Sequence, residues 1–222
     1  MAGMEINFPV GNPGSTNKSD GGPGGYSDRQ GAALTSGYHG DYYNAAYRGR
    51  LFHGCGVVAA NSFPIYTSTA IVFGLWNASS EVNLELVKFS AAYVSGTAVA
   101  GPVGYNTKDV GLAVGVPLSA FNPTPLGVRP GLMGGSGSVS KAKFTNAATN
   151  TVVAAAAADF IPGNAYLSVI TAADATQGIV QGVEEWFHGS IILAPGMIWW
   201  PCALLASVSL FAMRVVWIEV PV

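Results

Sequence analysis

The chain has 222 residues, half of them apolar, and carries only 10% charged residues with a formal net charge of −2. Ordinary soluble domains carry roughly 25% charged residues, so a surface this poor in charge points to one that neighbouring subunits cover. The near-neutral balance, with Arg48 and Arg50 as the densest basic pair, excludes nucleic acid as the main partner, because neutralising phosphates needs a basic face.

In chain order, residues 11–40 are dominated by Gly, Ser, Asn, Asp and Pro without apolar periodicity. Such a stretch cannot offset its ordering entropy by burying itself, and reads as a Gly-rich extended arm, either a floppy tail or one that becomes ordered on a neighbour. The arm is placed at residues 1–47. Its end carries Tyr38, Tyr42, Tyr43 and Tyr47 among small residues, followed by Arg48 and Arg50. Tyr offers a large contact area with a polar tip, so these six residues form the candidate partner-binding set.

The globular body is expected over residues 48–222. Leu51–Ala60 has strand composition broken by glycines. Thr67–Trp76 and Val82–Val94, separated by the polar turn Asn77–Glu81, predict a hairpin. In the second of these, alternate residues put Leu84, Leu86, Lys88, Ser90 and Ala92 on one face and Asn83, Glu85, Val87, Phe89, Ala91 and Tyr93 on the other. Both faces are mixed, the pattern of a sheet packed on its own core and on a partner. Residues 96–137, interrupted by Pro102, Pro117, Pro123, Pro125 and Pro130, read as a long connection. Thr151–Ala158, with its run of alanines ahead of Pro162-Gly163, predicts a short helix, and Asn164–Thr171 a strand. The last third reads as strand, Pro195-Gly196 turn, strand and closing strand. Met197–Met213 is almost uncharged but short for a membrane span and interrupted by Pro201, so it predicts buried strands and no membrane association. The resulting fold class is all-β: a single antiparallel β-sandwich behind the Gly-rich arm.

The sequence spells out no active site. Gly134–Ser138 misses the nucleophile-elbow spacing, and the same segment, running into Ser140-Lys141, lacks the glycine that a phosphate loop needs before its lysine. His39, His53 and His188 are far apart and none has a second ligand at metal spacing; His53 and His188 read as half-buried strand residues. Glu184 and Glu185, adjacent on a strand, point to opposite faces and cannot act as a pair of carboxylates across a cleft. Trp76, Trp186, Trp199, Trp200 and Trp217 read mainly as core or interface residues, with a sugar-stacking platform as the alternative. No catalytic residue, metal or cofactor is therefore expected. Cys55 and Cys202 pair only if the fold joins their strands, which the sequence leaves open.

The blocks Leu51-Phe52-His53-Gly54-Cys55, Gly74-Leu75-Trp76-Asn77 with Leu84–Tyr93, and Trp217-Ile218-Glu219-Val220-Pro221 resemble structural proteins of tailed-bacteriophage virions. The resemblance implies a jelly-roll-like antiparallel β-sandwich that acts as a non-enzymatic capsid decoration or cement protein on the capsid surface of a virion. Its implied partners are the major capsid protein and further copies of itself in a homo-oligomer, with a trimer taken from the family analogy. The alternative is a phage tail or fibre module that binds host-surface carbohydrate.

Overall fold

The computed structural model describes residues 26–27, 33–34, 42–55, 61–68, 71–97, 100–112, 128–132, 139–146, 160–167, 182–205 and 208–222. The chain divides into two compact units, Met1–Asn44 and Ala45–Val222. In the first, β1 (Tyr26–Ser27) pairs antiparallel with β2 (Ala33–Leu34). A one-turn helix, α1 (Tyr43–Tyr47), follows across the boundary.

The second unit is an antiparallel sandwich. Its strands are β3 (Leu51–Cys55), β4 (Gly74–Trp76), β5 (Val82–Ser95), β6 (Gly101–Asp109), β7 (Val128–Pro130), β8 (Lys143–Thr145), β9 (Phe160–Leu167), β10 (Gly182–Trp186), β11 (Ile192–Leu193), β12 (Met197–Ala203) and β13 (Leu210–Pro221). One sheet runs β10-β5-β13-β3-β7, with β11 also on β5, and the other runs β8-β4-β12-β6-β9. With the short β7, β8 and β11 set aside, the remaining strands numbered in chain order give one-eight-three-six in the first sheet and two-seven-four-five in the second. First pairs with eighth, second with seventh, third with sixth and fourth with fifth, the pairing of one long hairpin rolled over itself. This is the jelly roll.

The topology corrects the hairpin expected between Thr67–Trp76 and Val82–Val94. β4 pairs with β8 and β12, whereas β5 pairs with β13 and β10, so the turn at Asn77 carries the chain from one sheet to the other. Asn77 is fully buried and holds that crossing, its amide donating to the carbonyls of Val82 at 2.8 Å and Leu193 at 2.9 Å. The stretch 96–137, read as a connection, contains the nine-residue β6, which lies inside the second sheet. The sheet accommodates its Gly and Pro. Pro102 stands at a register irregularity, and a Cβ on Gly104 would lie 2.4 Å from the Ile161 carbonyl oxygen on β9. The helix expected at Thr151–Ala158 lies outside the described residues.

The core lies between the sheets. Phe89 of β5 meets Trp199 of β12 edge to face at 5.6 Å, and Phe73 meets Phe144 of β8 at 5.0 Å. A second buried group, Ile71, Trp76, Ile198, Trp200 and Cys202, occupies the other side of the second sheet, with Tyr66, Val110 and Phe160 packed over it. That sheet is thus buried on both faces, which is why Met197–Ala203 reads as a continuous apolar run. The first sheet has the reverse character: its outer face is open.

Candidate interaction surfaces

The mixed faces read in β5 resolve at a bulge. Opposite β13, Val216 pairs with Lys88 and Trp217 with Leu86, so Val87 is an extra residue on β5. The insertion flips the alternation: Leu84, Leu86, Phe89, Ala91 and Tyr93 all turn to the core, leaving Glu85, Lys88, Ser90, Ala92 and Val94 outside. The chain interrupts the edge at the same place, between β10 and β11, where the Phe187 N–H donates to the Val87 carbonyl at 2.9 Å.

Two cross-strand rows of the open face carry its chemistry. One row reads Arg129 on β7, His53 on β3, Val216 on β13, Lys88 on β5 and Trp186 on β10; the next reads Cys55, Arg214, Ser90 and Glu184. At the β10 edge, Lys88 Nζ lies 2.8 Å from Glu184 Oε1 and 4.3 Å from the centre of the Trp186 ring. Trp186 Nε1 donates to the same carboxylate at 2.6 Å, and the exposed His188 ring stacks on Trp186 with centroids 5.5 Å apart. The Lys88 hydrogen bond, foremost, with that from Trp186, holds the Glu184 carboxyl below the usual range. His188 is not the half-buried strand residue expected. It lies in the turn Phe187–Ser190 at φ 46°, followed by Gly189 at φ 78°. A non-glycine residue there costs of order 1–3 kcal/mol, a strain that concentrates at ligand-binding positions.

At the other end of the rows, Arg214 Nη2 lies 2.7 Å from His53 Nδ1. A guanidinium only donates, so Nδ1 accepts and Nε2 carries the imidazole proton. His53 is half-buried in its strand, as expected. Partial burial, then the adjacent Arg214 charge, lowers its pKa below the ordinary value.

A third surface is apolar. Val94, Leu204, Leu205, Val208 and Leu210 are exposed by 54, 37, 47, 72 and 38%. They gather where the end of β5 meets the segment from β12 to β13: Leu210 pairs with Ser95, the Leu204 N–H donates to the Pro102 carbonyl, and Leu205 packs beside Gly101.

The expected partner-binding set is only partly brought together. Tyr38 lies outside the described residues. Tyr43 and Tyr47 stand one turn apart on α1, exposed by 43 and 66%, while Tyr42 is half-buried. Arg48 is exposed; Arg50 is half-buried, its carbonyl accepting the Glu219 N–H at 2.9 Å where β3 begins. Of the tryptophans, Trp76, Trp199, Trp200 and Trp217 are fully buried, as core residues, and Trp186 is 46% exposed. Glu184 and Glu185 do face opposite ways. Glu185 is buried and joins the two sheets at their edge, accepting from the backbone N–H of Asn164 at 2.9 Å and its amide at 2.8 Å. The convergence of His53, Arg129 and Arg214 had no signal in the sequence, since His53 and Arg214 are 161 residues apart.

Cys55 and Cys202 are both free, on different sheets. Burial pushes the Cys202 thiol up to about 12, so it stays protonated and unreactive at neutral pH. Iodoacetamide at pH 8 is expected to label Cys55 alone in the native protein and Cys202 only after denaturation, read by peptide mass spectrometry.

Among the described residues, no three of His, Cys, Asp and Glu gather as a metal site. No protein-family model matches the chain, and no curated protein or solved structure matches it either. What defines its class is the rolled double sheet with one open face and an apolar end.

Proposed function

We propose that this protein is a non-enzymatic structural component of a virion, a decoration protein that lies across neighbouring capsid subunits and stabilises the shell. The observation that carries the reading is the apolar end at Val94, Leu204, Leu205, Val208 and Leu210, continuous with an open sheet face. Water-exposed aliphatic side chains gathered at one place mark a contact surface. The jelly roll is used by viral capsid proteins, which supports the reading by analogy of fold, and a chain with 10% charged residues suits a surface that symmetry repeats and covers. The major capsid protein and further copies of this chain, in a trimer, are the partners this reading assigns.

Quantitative mass spectrometry of purified particles tests it. A copy number comparable to that of the major capsid protein is the expected result. A purified protein that stays monomeric and has no affinity for capsid shells would sink the idea.

A second reading, a module binding host carbohydrate, is favoured by one group: the exposed Trp186 and the His188 ring held against it at positive φ. On that reading Trp186→Ala abolishes glycan-array binding while the melting temperature stays unchanged.

A further inference from the structure

We propose that Arg129, His53 and Arg214 form a binding site for a single oxyanion, a sulfate or phosphate, on the open face of the first sheet. The site goes beyond the virion reading and holds whichever partner covers that face.

Its geometry follows from register. His53 and Arg129 are directly opposed on β3 and β7, so their side chains rise from the same face about 5 Å apart at the Cβ atoms. The inward turn of Phe52 and Val128 into the core fixes that direction. Arg214 reaches the pair from β13, one row away, through its 2.7 Å contact with Nδ1. That contact sets the tautomer and leaves Nε2–H as the remaining donor of the ring, with Arg129 on the directly opposed position of β7. The three groups together present more N–H donors than a carboxylate has lone-pair positions, which favours a tetrahedral oxyanion, with an acceptor oxygen for each fork and for the imidazole.

Among the described residues nothing of opposite charge pairs with the two arginines. The ion pairs among the described residues are Lys88 with Glu184 and Lys141 with Glu81. The acid on Arg214's own row, Glu184, stands beyond Ser90 and is held by Lys88 and Trp186. The remaining neighbour on that row, Cys55, is a free thiol. Partial burial, then the Arg214 charge, lowers the His53 pKa. An anion that accepts from Nε2–H and from the guanidinium offsets that charge and moves the pKa back up.

The test is a titration of the intact protein with sodium sulfate, with sodium chloride at matched ionic strength as control, followed through the imidazole resonances. His53 is identified by the signals missing from His53→Gln. Saturable shifts of His53 with sulfate, absent with chloride, and an upward move of its titration midpoint are expected. Arg129→Gln and Arg214→Gln each weaken binding at least about tenfold, because each removes a charge-assisted fork from an exposed position where folding is insensitive to the change. A sulfated oligosaccharide forms a second arm: tighter binding than inorganic sulfate places the anion on a glycan, and equal binding makes it a free ion. Non-saturating shifts, equal response to chloride, or unchanged affinity in both arginine variants would overturn the site.

Discussion

Trp199→Ala is expected to destabilise the sandwich by about 3–5 kcal/mol, enough to remove much of the stability of a typical domain. The indole has no exposed surface and projects from β12 into the core, against Phe89 of the opposite sheet at 5.6 Å, Phe187 at 6.1 Å and Tyr105 at 6.4 Å. Burying roughly 200 Å² at about 25 cal/mol per Å² gives an upper value of about 5 kcal/mol, before the cavity left behind is counted. Trp199 Nε1 finds no acceptor among the described residues, so its desolvation already costs stability. Trp199→Phe keeps most of the packing and removes that donor, and is expected to lose less than half as much. Urea unfolding midpoints at unchanged m-value measure both. Equal losses in the two variants would show that the ring's contacts across the sheets are not what holds them together.

Much of the β architecture was legible because burial leaves periodicity. The opposition of Glu184 and Glu185 on β10 follows from strand parity and is visible in the string of residues, and so is the apolar run of β12. The failures have equally local causes. Period-two reading of β5 broke at Val87, because one inserted residue exchanges the two faces beyond it. β6 was missed because glycine and proline, which normally weaken a strand, are here accommodated by a bulge and by the close approach of β9. The wrong hairpin arose because sequence neighbours usually pair, whereas a jelly roll sends successive strands to opposite sheets.

The surfaces were harder to read than the core. Tyr43 and Tyr47 could be singled out from composition, since they crowd one short segment. The anion cluster is assembled from β3, β7 and β13, and the apolar end from the end of β5 and the segment joining β12 to β13, so members far apart in sequence become neighbours only through register. Trp186 differs from Trp199 and Trp217 in nothing but strand parity at an edge, so exposure could not be assigned to it without the sheet order.

The double substitution Leu205→Asp, Val208→Asp is expected to abolish association at the apolar end while leaving the sandwich folded. Val208 is 72% exposed and Leu205 47%, so the two changes cost the isolated domain about 1 kcal/mol or less each. In an interface the same residues would each contribute about 1.5 kcal/mol or more when covered, and an aspartate there must shed its water without gaining a partner. Together the losses correspond to a weakening on the order of a hundredfold or more. Sedimentation of the purified protein gives its oligomeric state, and co-sedimentation with capsid shells tests the proposed virion partner. Loss of both assigns the apolar end to self-contact that the shell requires, whereas loss of shell binding alone assigns it to the capsid partner. Unchanged behaviour in both would remove this end from the assembly and leave the open face of the first sheet as the contacting surface. Arg214→Gln, a short distance along that face, serves as the control: it alters oxyanion binding and leaves the apolar end intact.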